Sequence, residues 1–147
     1  MGALIALLLG VSLYFIIGCK AQVDQSLTDY VMIDGGTERA WTSKLNYEKR
    51  KGWYVSIKTG DTLFRSDSKY ESYSGWPSFT WGYMDKLELF ADPNNTGLEV
   101  RERNTPYHLG HRFNDGPVGE GYRYCINGAA LRFLPDDSIY HRKVSVK

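Results

Sequence analysis

Short runs in which apolar and polar residues alternate, separated by turn-forming residues, make up most of the chain after residue 30. The run 53–58 alternates after Tyr54 and is followed by turn residues at 60–61, which predicts a first hairpin. Helical patterns are few, and 46–52 is typical of one helical turn ended by glycine or of an ordinary surface helix. The pattern predicts a mostly β domain. Strands are predicted at 53–58, 62–65, 87–90 and 98–102, the last two joined by the turn formers of 91–97.

The first 19 residues have a different pattern. Residues 3–17 are almost unbroken apolar and end at Gly18 and Cys19, after which the chain turns polar. The run is shorter than the roughly 20 residues of a membrane span and fits the apolar region of a secretory signal. Residues 16–19, Ile-Ile-Gly-Cys, resemble the lipobox of bacterial lipoprotein signals, although no Lys or Arg precedes the apolar run. We therefore expect 1–19 to be a signal with Cys19 lipidated; the alternatives are an uncleaved anchor, an ordinary signal or a buried helix.

The composition and charge of the whole chain indicate one globular domain without a nucleic-acid partner. Of its 147 residues, 42% are hydrophobic and 14% aromatic, which is enough for one packed core. Residues 20–30 are predicted to be a mobile polar tether, 31–135 the domain and 136–147 a solvated tail. A net charge of +1, without a basic run, argues against a nucleic-acid partner. We expect a monomer outside the cytoplasm, in the cell envelope, either membrane-anchored or secreted.

Residues with candidate chemistry are concentrated between 108 and 132. Cys125 has Arg123 and Asn127 two positions away, and in a strand they would share its face because the side-chain period is two. Cationic and hydrogen-bonding neighbours favour the thiolate, which is the nucleophilic form. A free cysteine is more often a small core residue, and for Cys125 alone that interpretation stays open. His108 and His111 can donate protons near neutral pH, whereas a metal site would need a third ligand that this stretch lacks.

Trp76 is the other candidate site residue. It lies between Gly75 and Pro77, and proline restricts the backbone of the residue before it. Its indole can therefore be the rigid wall of a pocket, but an isolated tryptophan closes the edge of a core about as often. The residues alone leave both interpretations open.

Five blocks of the sequence resemble the methionine-R-sulfoxide reductases of the B type, in that family's order and at roughly its spacing. They cover nearly all of the chain from about 31 to 135. The resemblance implies two antiparallel sheets, β-tent-like, with a few short peripheral helices, and reduction of the R epimer of methionine sulfoxide. It also implies that Trp76 holds the methyl group on the substrate sulfur. The blocks are Gly-Thr-Glu-Arg-Ala-Trp (36–41), Leu-Phe-Arg-Ser-Asp-Ser-Lys-Tyr (63–70), Ser-Gly-Trp-Pro-Ser-Phe (74–79), His-Leu-Gly-His-Arg-Phe-Asn-Asp-Gly-Pro (108–117) and Arg-Tyr-Cys-Ile-Asn-Gly-Ala-Ala-Leu-Arg-Phe (123–133).

Two differences from the common family pattern concern cysteines. Many members hold a structural zinc with two Cys-x-x-Cys pairs, and the matching positions here are Ser56, Thr59, Glu102 and Thr105. Hydroxyls with one carboxylate make a poor zinc site by ligand type and number, so we predict that no zinc is bound. Many members also have a resolving cysteine where this chain has Ser74.

The residues and the resemblance together give a hypothesis for the reaction. The Cys125 thiolate attacks the sulfur of free or protein-bound methionine sulfoxide while His111 or His108 protonates the oxygen, which leaves a sulfenic acid. Arg123 and Asn127 would stabilise the thiolate and hold the polar end of the pocket. The function implied is protein repair under oxidative stress.

Regeneration of the thiol depends on the cysteine count. The chain has two cysteines, and with Cys19 lipidated or removed no internal disulfide partner remains for Cys125. We therefore predict that an external thiol, such as that of a thioredoxin-like protein, reduces the sulfenic acid directly. The alternatives are a non-catalytic, membrane-tethered binder of oxidised methionine or another small ligand, and an inert core cysteine.

Overall fold

The computed structural model describes residues 24–137 and has a mostly β architecture. Within this range one α-helix, α1 (Gln25–Met32), is followed by nine strands, and three short 3₁₀ helices lie at Lys44–Tyr47, Ser66–Ser68 and Gly128–Ala130. The predicted fold class, mostly β with a few short helices, is confirmed. The strands are β1 (Gly52–Ser56), β2 (Thr62–Arg65), β3 (Lys69–Tyr70), β4 (Ser78–Phe79), β5 (Leu87–Ala91), β6 (Leu98–Glu102), β7 (His108–Phe113), β8 (Arg123–Ile126) and β9 (Leu131–Pro135).

In the described part of the chain the strands form two antiparallel sheets, as the resemblance implied. One sheet has the order β2-β1-β9 and the other the order β3-β4-β8-β7-β6-β5. β2 and β6 have the predicted bounds, while β1 lies slightly earlier than predicted and β5 is one residue longer. The two histidines of β7 and the cysteine of β8 therefore lie at the centre of the larger sheet.

The core lies where aromatic side chains of the two sheets meet. Phe64 of β2 stacks on Phe79 of β4 with ring centroids 4.4 Å apart, and Tyr54 of β1 packs edge-on against Phe79 at 4.9 Å. Burial of one such side chain contributes roughly 1.5–3 kcal/mol, and each ring pair about 0.5–1.5 kcal/mol more. This packing fixes the larger sheet from one side. Other fully buried side chains are Leu63, Leu87, Val100, Leu109 and Ile126.

Helix α1 occupies the second half of the segment 20–30, which the sequence predicts as a mobile tether. Thr28 Oγ1 donates a hydrogen bond to the Ala129 carbonyl at 2.8 Å, and Thr28 is buried despite its polarity. Val31 and Met32 at the end of the helix are fully buried in the core. The tether prediction is therefore wrong from Gln25 onward, because one face of this polar segment anchors to the chain after β8.

The start of the C-terminal segment 136–147, which the sequence predicts as a solvated tail, also differs from that prediction. Asp136, predicted as the start of a solvated tail, accepts two hydrogen bonds from the Arg65 guanidinium, at 2.8 and 2.9 Å. The two guanidinium nitrogens of Arg65 face the two carboxylate oxygens of Asp136, which is the geometry of a bidentate ion pair. This contact holds Asp136 against β2, so the ordered domain extends past Pro135. Residues 138–147 and the predicted signal segment 1–19, with Cys19, lie outside the described residues. Among residues 24–137, no helix is long and apolar enough to cross a membrane.

The helical turn predicted at 46–52 lies earlier, at Lys44–Tyr47, where the Ser43 hydroxyl caps its first turn. Gly52 opens β1 instead of ending a helix. A side chain there would place its Cβ 2.4 Å from the Leu134 carbonyl oxygen of β9. Glycine is thus needed for the close approach of two strands, which the linear pattern does not reveal.

The four positions matched to zinc cysteines form a hydrogen-bonded cluster around Glu102. This side chain is only 1% exposed, and its carboxylate accepts hydrogen bonds from Ser56 Oγ at 2.7 Å and from Thr59 Oγ1. Thr105 Oγ1 donates to the Glu102 carbonyl at 2.9 Å. The cluster links the β1–β2 turn to β6. Residues 24–137 contain no group of three or more His, Cys, Asp or Glu side chains that could hold a metal ion, and the prediction that zinc is not bound stays a prediction.

Candidate active site

A row of side chains crosses one face of the six-stranded sheet and contains Cys125. Cys125 of β8 is opposite Ser78 of β4 on one side and His111 of β7 on the other, and His111 is opposite Glu99 of β6. Directly opposite residues of antiparallel strands point to the same face, so these four side chains lie together. Tyr124, next to Cys125 in sequence, points the other way into the core. The alternation around Cys125 thus keeps its thiol out of the core.

Cys125 opens into a cleft of about 140 Å³. Trp76 forms one wall, and its Nε1 donates a hydrogen bond to the Glu38 carbonyl at 3.0 Å. The preceding Gly75 has a φ of +95°, and a Cβ there would lie 2.8 Å from the Cβ of Ala40. Only glycine fits this position. The packing of Gly75 on Ala40 therefore fixes the backbone before Trp76, and the hydrogen bond to Glu38 fixes its indole. The lining residues are Thr37, Trp76, Asn95, Gly110, His111, Phe113, Cys125 and Asn127, which include four of the side chains singled out from the sequence.

The Cys125 thiol is half-buried and forms no disulfide. Burial raises its pKa, while a contact with Ser74 and the positive charge of Arg123 oppose that rise. Ser74 Oγ lies 3.8 Å from Cys125 Sγ, so the position matched to a resolving cysteine is adjacent to the thiol. Burial therefore outweighs the contacts that favour the thiolate, and formation of the thiolate depends on the charge and hydrogen bonds around the sulfur.

Arg123 acts on Cys125 from outside the cleft. Its Nε and Nη2 donate to the two carboxylate oxygens of Asp115 at 2.9 and 2.8 Å, and the guanidinium lies over the Phe113 ring, 4.6 Å from its centroid. The paired guanidinium also holds the pKa of the Asp115 carboxyl below its ordinary value. Arg123 is not among the residues that line the cleft, but its positive charge and a side-chain hydrogen bond both oppose the rise in the pKa of the thiol.

The two histidines have different environments. His111 lines the cleft, and its Nε2 is 2.8 Å from Asp92 Oδ2. His108 is buried away from the cleft, with Nδ1 2.8 Å from Glu99 Oε1 and with no hydrogen-bond partner for Nε2 within the described part of the chain. Burial lowers the pKa of His108, although its bond with Glu99 partly offsets this. The rings lie 5.4 Å apart, and His111 is the one placed to reach a ligand beside Cys125.

Asn127 and Glu38 bind each other and support the cleft. Asn127 is 3% exposed; its Oδ1 accepts from the Glu38 amide at 2.9 Å, and its Nδ2 donates to the Leu109 carbonyl at 3.0 Å. The Glu38 carboxylate in turn accepts from the amides of Gly128 (2.7 Å) and Ala129 (2.8 Å). Burial raises the pKa of the Glu38 carboxyl. Both polar ends of Asn127 are thus engaged inside the protein, and Asn127 contributes a fixed wall.

Gly110, between the two histidines, explains why glycine interrupts this strand. A Cβ at Gly110 would lie 2.1 Å from the Cys125 carbonyl oxygen of β8. Without a side chain there, β7 and β8 can pair directly beside the reactive residues. The glycine of the His-Leu-Gly-His block is therefore required by the packing of β7 against β8, whatever the role of the two histidines.

The sequence did not single out four acidic residues of the site. Glu38 and Asp115 lie within the blocks that carry the resemblance, and that position was a usable signal. Asp92 and Glu99 lie outside those blocks, and they meet the histidines only through a loop and the β6–β7 register. Three of the four place a carboxylate against a site histidine or against Arg123.

Comparison with known proteins gives a consistent set of similarities. Residues 25–135 match the family model described as the SelR domain. The chain is 47% identical over 103 residues to the peptide methionine sulfoxide reductase MsrA/MsrB of Vibrio cholerae, covering 68% of this chain and 27% of that relative. It is 43% identical over 120 residues to the peptide methionine sulfoxide reductase MsrB of Hahella chejuensis, covering 77% of this chain and 86% of that relative. The chain thus spans about a quarter of the first relative and most of the second.

Proposed function

Because the chain belongs to the SelR family, the peptide-methionine (R)-S-oxide reductases of the B type, we propose that its cleft reduces methionine-R-sulfoxide with Cys125 as the nucleophile. One observation carries the proposal: Cys125 and His111 are opposite each other on adjacent strands and line one cleft walled by Trp76. A nucleophile and a proton donor can then reach the same sulfoxide group from one side.

The reaction transfers one oxygen atom and two electrons. The sulfoxide enters with its methyl group against Trp76, and the Cys125 sulfur attacks the sulfoxide sulfur. The attack forms a bond between the two sulfur atoms, and His111 donates a proton to the sulfoxide oxygen. The oxygen then transfers to the Cys125 sulfur as the S–O and S–S bonds to the substrate sulfur break, which releases methionine and leaves Cys125 as sulfenic acid. The substrate sulfur is reduced by two electrons and the cysteine sulfur is oxidised by two. His108, which is buried, supports His111 and does not contact the substrate in this scheme.

Arg123 favours the thiolate because its guanidinium is the positively charged group among the causes that lower the pKa of Cys125. Its pairing with Asp115 fixes the orientation of that charge. Asn127 forms a fixed part of the cleft wall, since its side-chain oxygen and nitrogen both bind backbone groups. The attack is therefore supported by a charge outside the cleft and by a rigid boundary inside it.

An external thiol regenerates the enzyme in this proposal. Ser74 lies beside the thiol but has a hydroxyl group, which cannot form a disulfide with an oxidised Cys125. A thioredoxin-like protein that attacks the sulfenic acid directly is the class of reductant that this chemistry needs. We also propose that no zinc is needed and that the N-terminal segment, with Cys19, directs the domain to the cell envelope.

The test is an epimer-resolved assay with dithiothreitol as the reductant. We expect reduction of N-acetyl-methionine-R-sulfoxide and not of the S epimer, complete loss of turnover in Cys125→Ser, and a KM raised about tenfold in Trp76→Ala. Binding of the sulfoxide without turnover by the unmodified protein would contradict the proposal and support the non-catalytic alternative.

Regeneration has a separate test. Mass spectrometry of the full chain after one turnover without reductant should find a sulfenic acid on Cys125, trapped by dimedone. A disulfide between Cys19 and Cys125 under these conditions would contradict the need for an external thiol.

A further inference from the structure

We propose that Asp92 positions His111 for proton delivery, an inference that rests on the function proposed above and adds a residue to it. Asp92 lies outside every block that carries the family resemblance. It begins the loop 92–97 between β5 and β6, at the edge of the sheet, and no sequence pattern connects it to the thiol. The structure nevertheless brings its carboxylate to a ring that lines the cleft.

The loop that carries Asp92 is internally braced. Asp92 Oδ1 accepts a hydrogen bond from the Asn94 amide at 2.9 Å, and the Asn95 amide donates to the Asp92 carbonyl at 3.2 Å. Asn95 Oδ1 accepts from the Gly97 amide at 3.0 Å, and Asn95 itself lines the cleft. A Cβ on Gly97 would lie 2.8 Å from the Phe113 ring, so the end of the loop packs directly on β7. The loop holds Asp92 in a defined place.

The two oxygens of the Asp92 carboxylate have separate partners. Oδ1 binds the loop, while Oδ2 lies 2.8 Å from His111 Nε2. The bond from His111 and then the Asn94 amide hold the pKa of the Asp92 carboxyl below its ordinary value. An ionised carboxylate only accepts hydrogen bonds, so the hydrogen of this contact belongs to His111 Nε2. Asp92 therefore fixes which ring nitrogen is protonated.

This assignment decides how His111 can act. With Nε2 bonded to Asp92, Nδ1 is the ring nitrogen that remains to serve the cleft. The protonated ring donates its Nδ1 proton to the sulfoxide oxygen and is left neutral, with Nε2–H still bonded to Asp92. A carboxylate in this position stabilises the charged ring before transfer and holds its orientation during transfer.

The other groups that face His111 do not replace Asp92. Glu99, opposite His111 on β6, directs its carboxylate to His108 Nδ1 and to the Arg101 guanidinium. His108 lies edge-on to the His111 ring, and Cys125 faces it from β8. Among the described side chains, Asp92 makes the hydrogen bond to His111 that fixes its ring.

Single-turnover kinetics test the inference. Full-length enzyme is mixed with N-acetyl-methionine-R-sulfoxide without reductant, and methionine formation is followed by rapid quench across pH. Asp92→Asn keeps an acceptor for the Asn94 amide but removes the charge, so the loop is retained. We expect it to slow methionine formation about 10- to 100-fold, with substrate affinity within about threefold, and to move the alkaline limb of the rate profile to lower pH.

Three further variants make the outcome decisive. Asp85→Asn, in the exposed turn before β5, is the matched control and should stay within about twofold of the unmodified enzyme. Asp92→Glu, which keeps the charge, should recover part of the rate. ¹⁵N spectra should assign the hydrogen to Nε2 of neutral His111 in the unmodified enzyme but not in Asp92→Asn. His111→Asn sets the reference for loss of the proton donor.

The results separate two failures. A normal rate and pH profile in Asp92→Asn, together with a slow His111→Asn, would overturn the positioning role of Asp92 and leave the proposed function intact. A normal rate in His111→Asn would instead refute the proton-donor assignment in the proposed function.

Discussion

Loss of the hydroxyl donors to Glu102 should destabilise the domain strongly. The Glu102 carboxylate is buried, and Ser56 and Thr59 each donate one hydrogen bond to it. A hydrogen bond to a charged group contributes about 1.5–3 kcal/mol, so Ser56→Ala should lower the free energy of unfolding by roughly 2 kcal/mol. Ser56→Ala combined with Thr59→Val leaves the buried carboxylate without either donor and should cost about 3–5 kcal/mol.

A third substitution distinguishes a lost partner from lost packing. Adding Glu102→Met to the double variant removes the carboxylate that has lost its donors. Replacing all partners of a buried polar contact by apolar side chains changes the free energy of unfolding little, so most of the lost stability should return. Thr42→Val is the control: its exposed hydroxyl bonds only the Arg39 carbonyl, so the change should be below about 1 kcal/mol.

The assay is urea unfolding of each variant, followed by tryptophan fluorescence and circular dichroism, with and without EDTA. EDTA should leave the midpoint of the unmodified protein unchanged, since the link between the β1–β2 turn and β6 is made of hydrogen bonds. A double variant destabilised by less than about 1 kcal/mol would refute the reasoning. A midpoint lowered by EDTA would show that a metal contributes.

Three other predictions follow from the site. In Ser74→Cys the new thiol stands where Ser74 Oγ is 3.8 Å from Cys125 Sγ, so the sulfenic acid should collapse to an internal disulfide and dimedone labelling should disappear; labelling at the original level would contradict this. Because burial raises the pKa of Cys125, alkylation by iodoacetamide should keep accelerating above the pH at which a free thiol levels off, and Arg123→Gln should move the midpoint to still higher pH; an unmoved midpoint would exclude an electrostatic role for Arg123. Glu38→Gln places an amide group against two backbone N–H donors and should cost about 1–3 kcal/mol by urea unfolding, whereas a change under about 0.5 kcal/mol would contradict its bracing role.

The parts of the fold that the sequence predicts are those governed by local pattern. Alternation and turn residues locate β2 and β6 at their observed bounds. β6 alternates because one of its faces lies in the core, whereas β2 is a short apolar run that follows a turn and is buried on both faces. The sequence pattern does not predict helix α1, because its buried contacts include Thr28, whose hydroxyl donates to a carbonyl about a hundred residues away. No local pattern reports such a partner.

The site shows the same division. Cys125, His111 and Trp76 were found from residue type and block resemblance, and they line one cleft. The sequence does not indicate Asp92 and Glu99, because each reaches its histidine through loop conformation and strand register, which depend on the completed sheet. The difference between the two histidines, one lining the cleft and one buried, likewise needs the folded chain.

The bonds of Glu38 also determine when during synthesis the cleft can exist. Its carboxylate holds amides that lie 90 and 91 residues later in the chain, and its carbonyl accepts the bond that steadies Trp76. A nascent polypeptide that has released Cys125 but not yet residues 128 and 129 from the ribosome would therefore expose a thiol without the boundary that directs it. Premature termination just after the cysteine would thus yield a fragment with an alkylatable thiol and without the cleft.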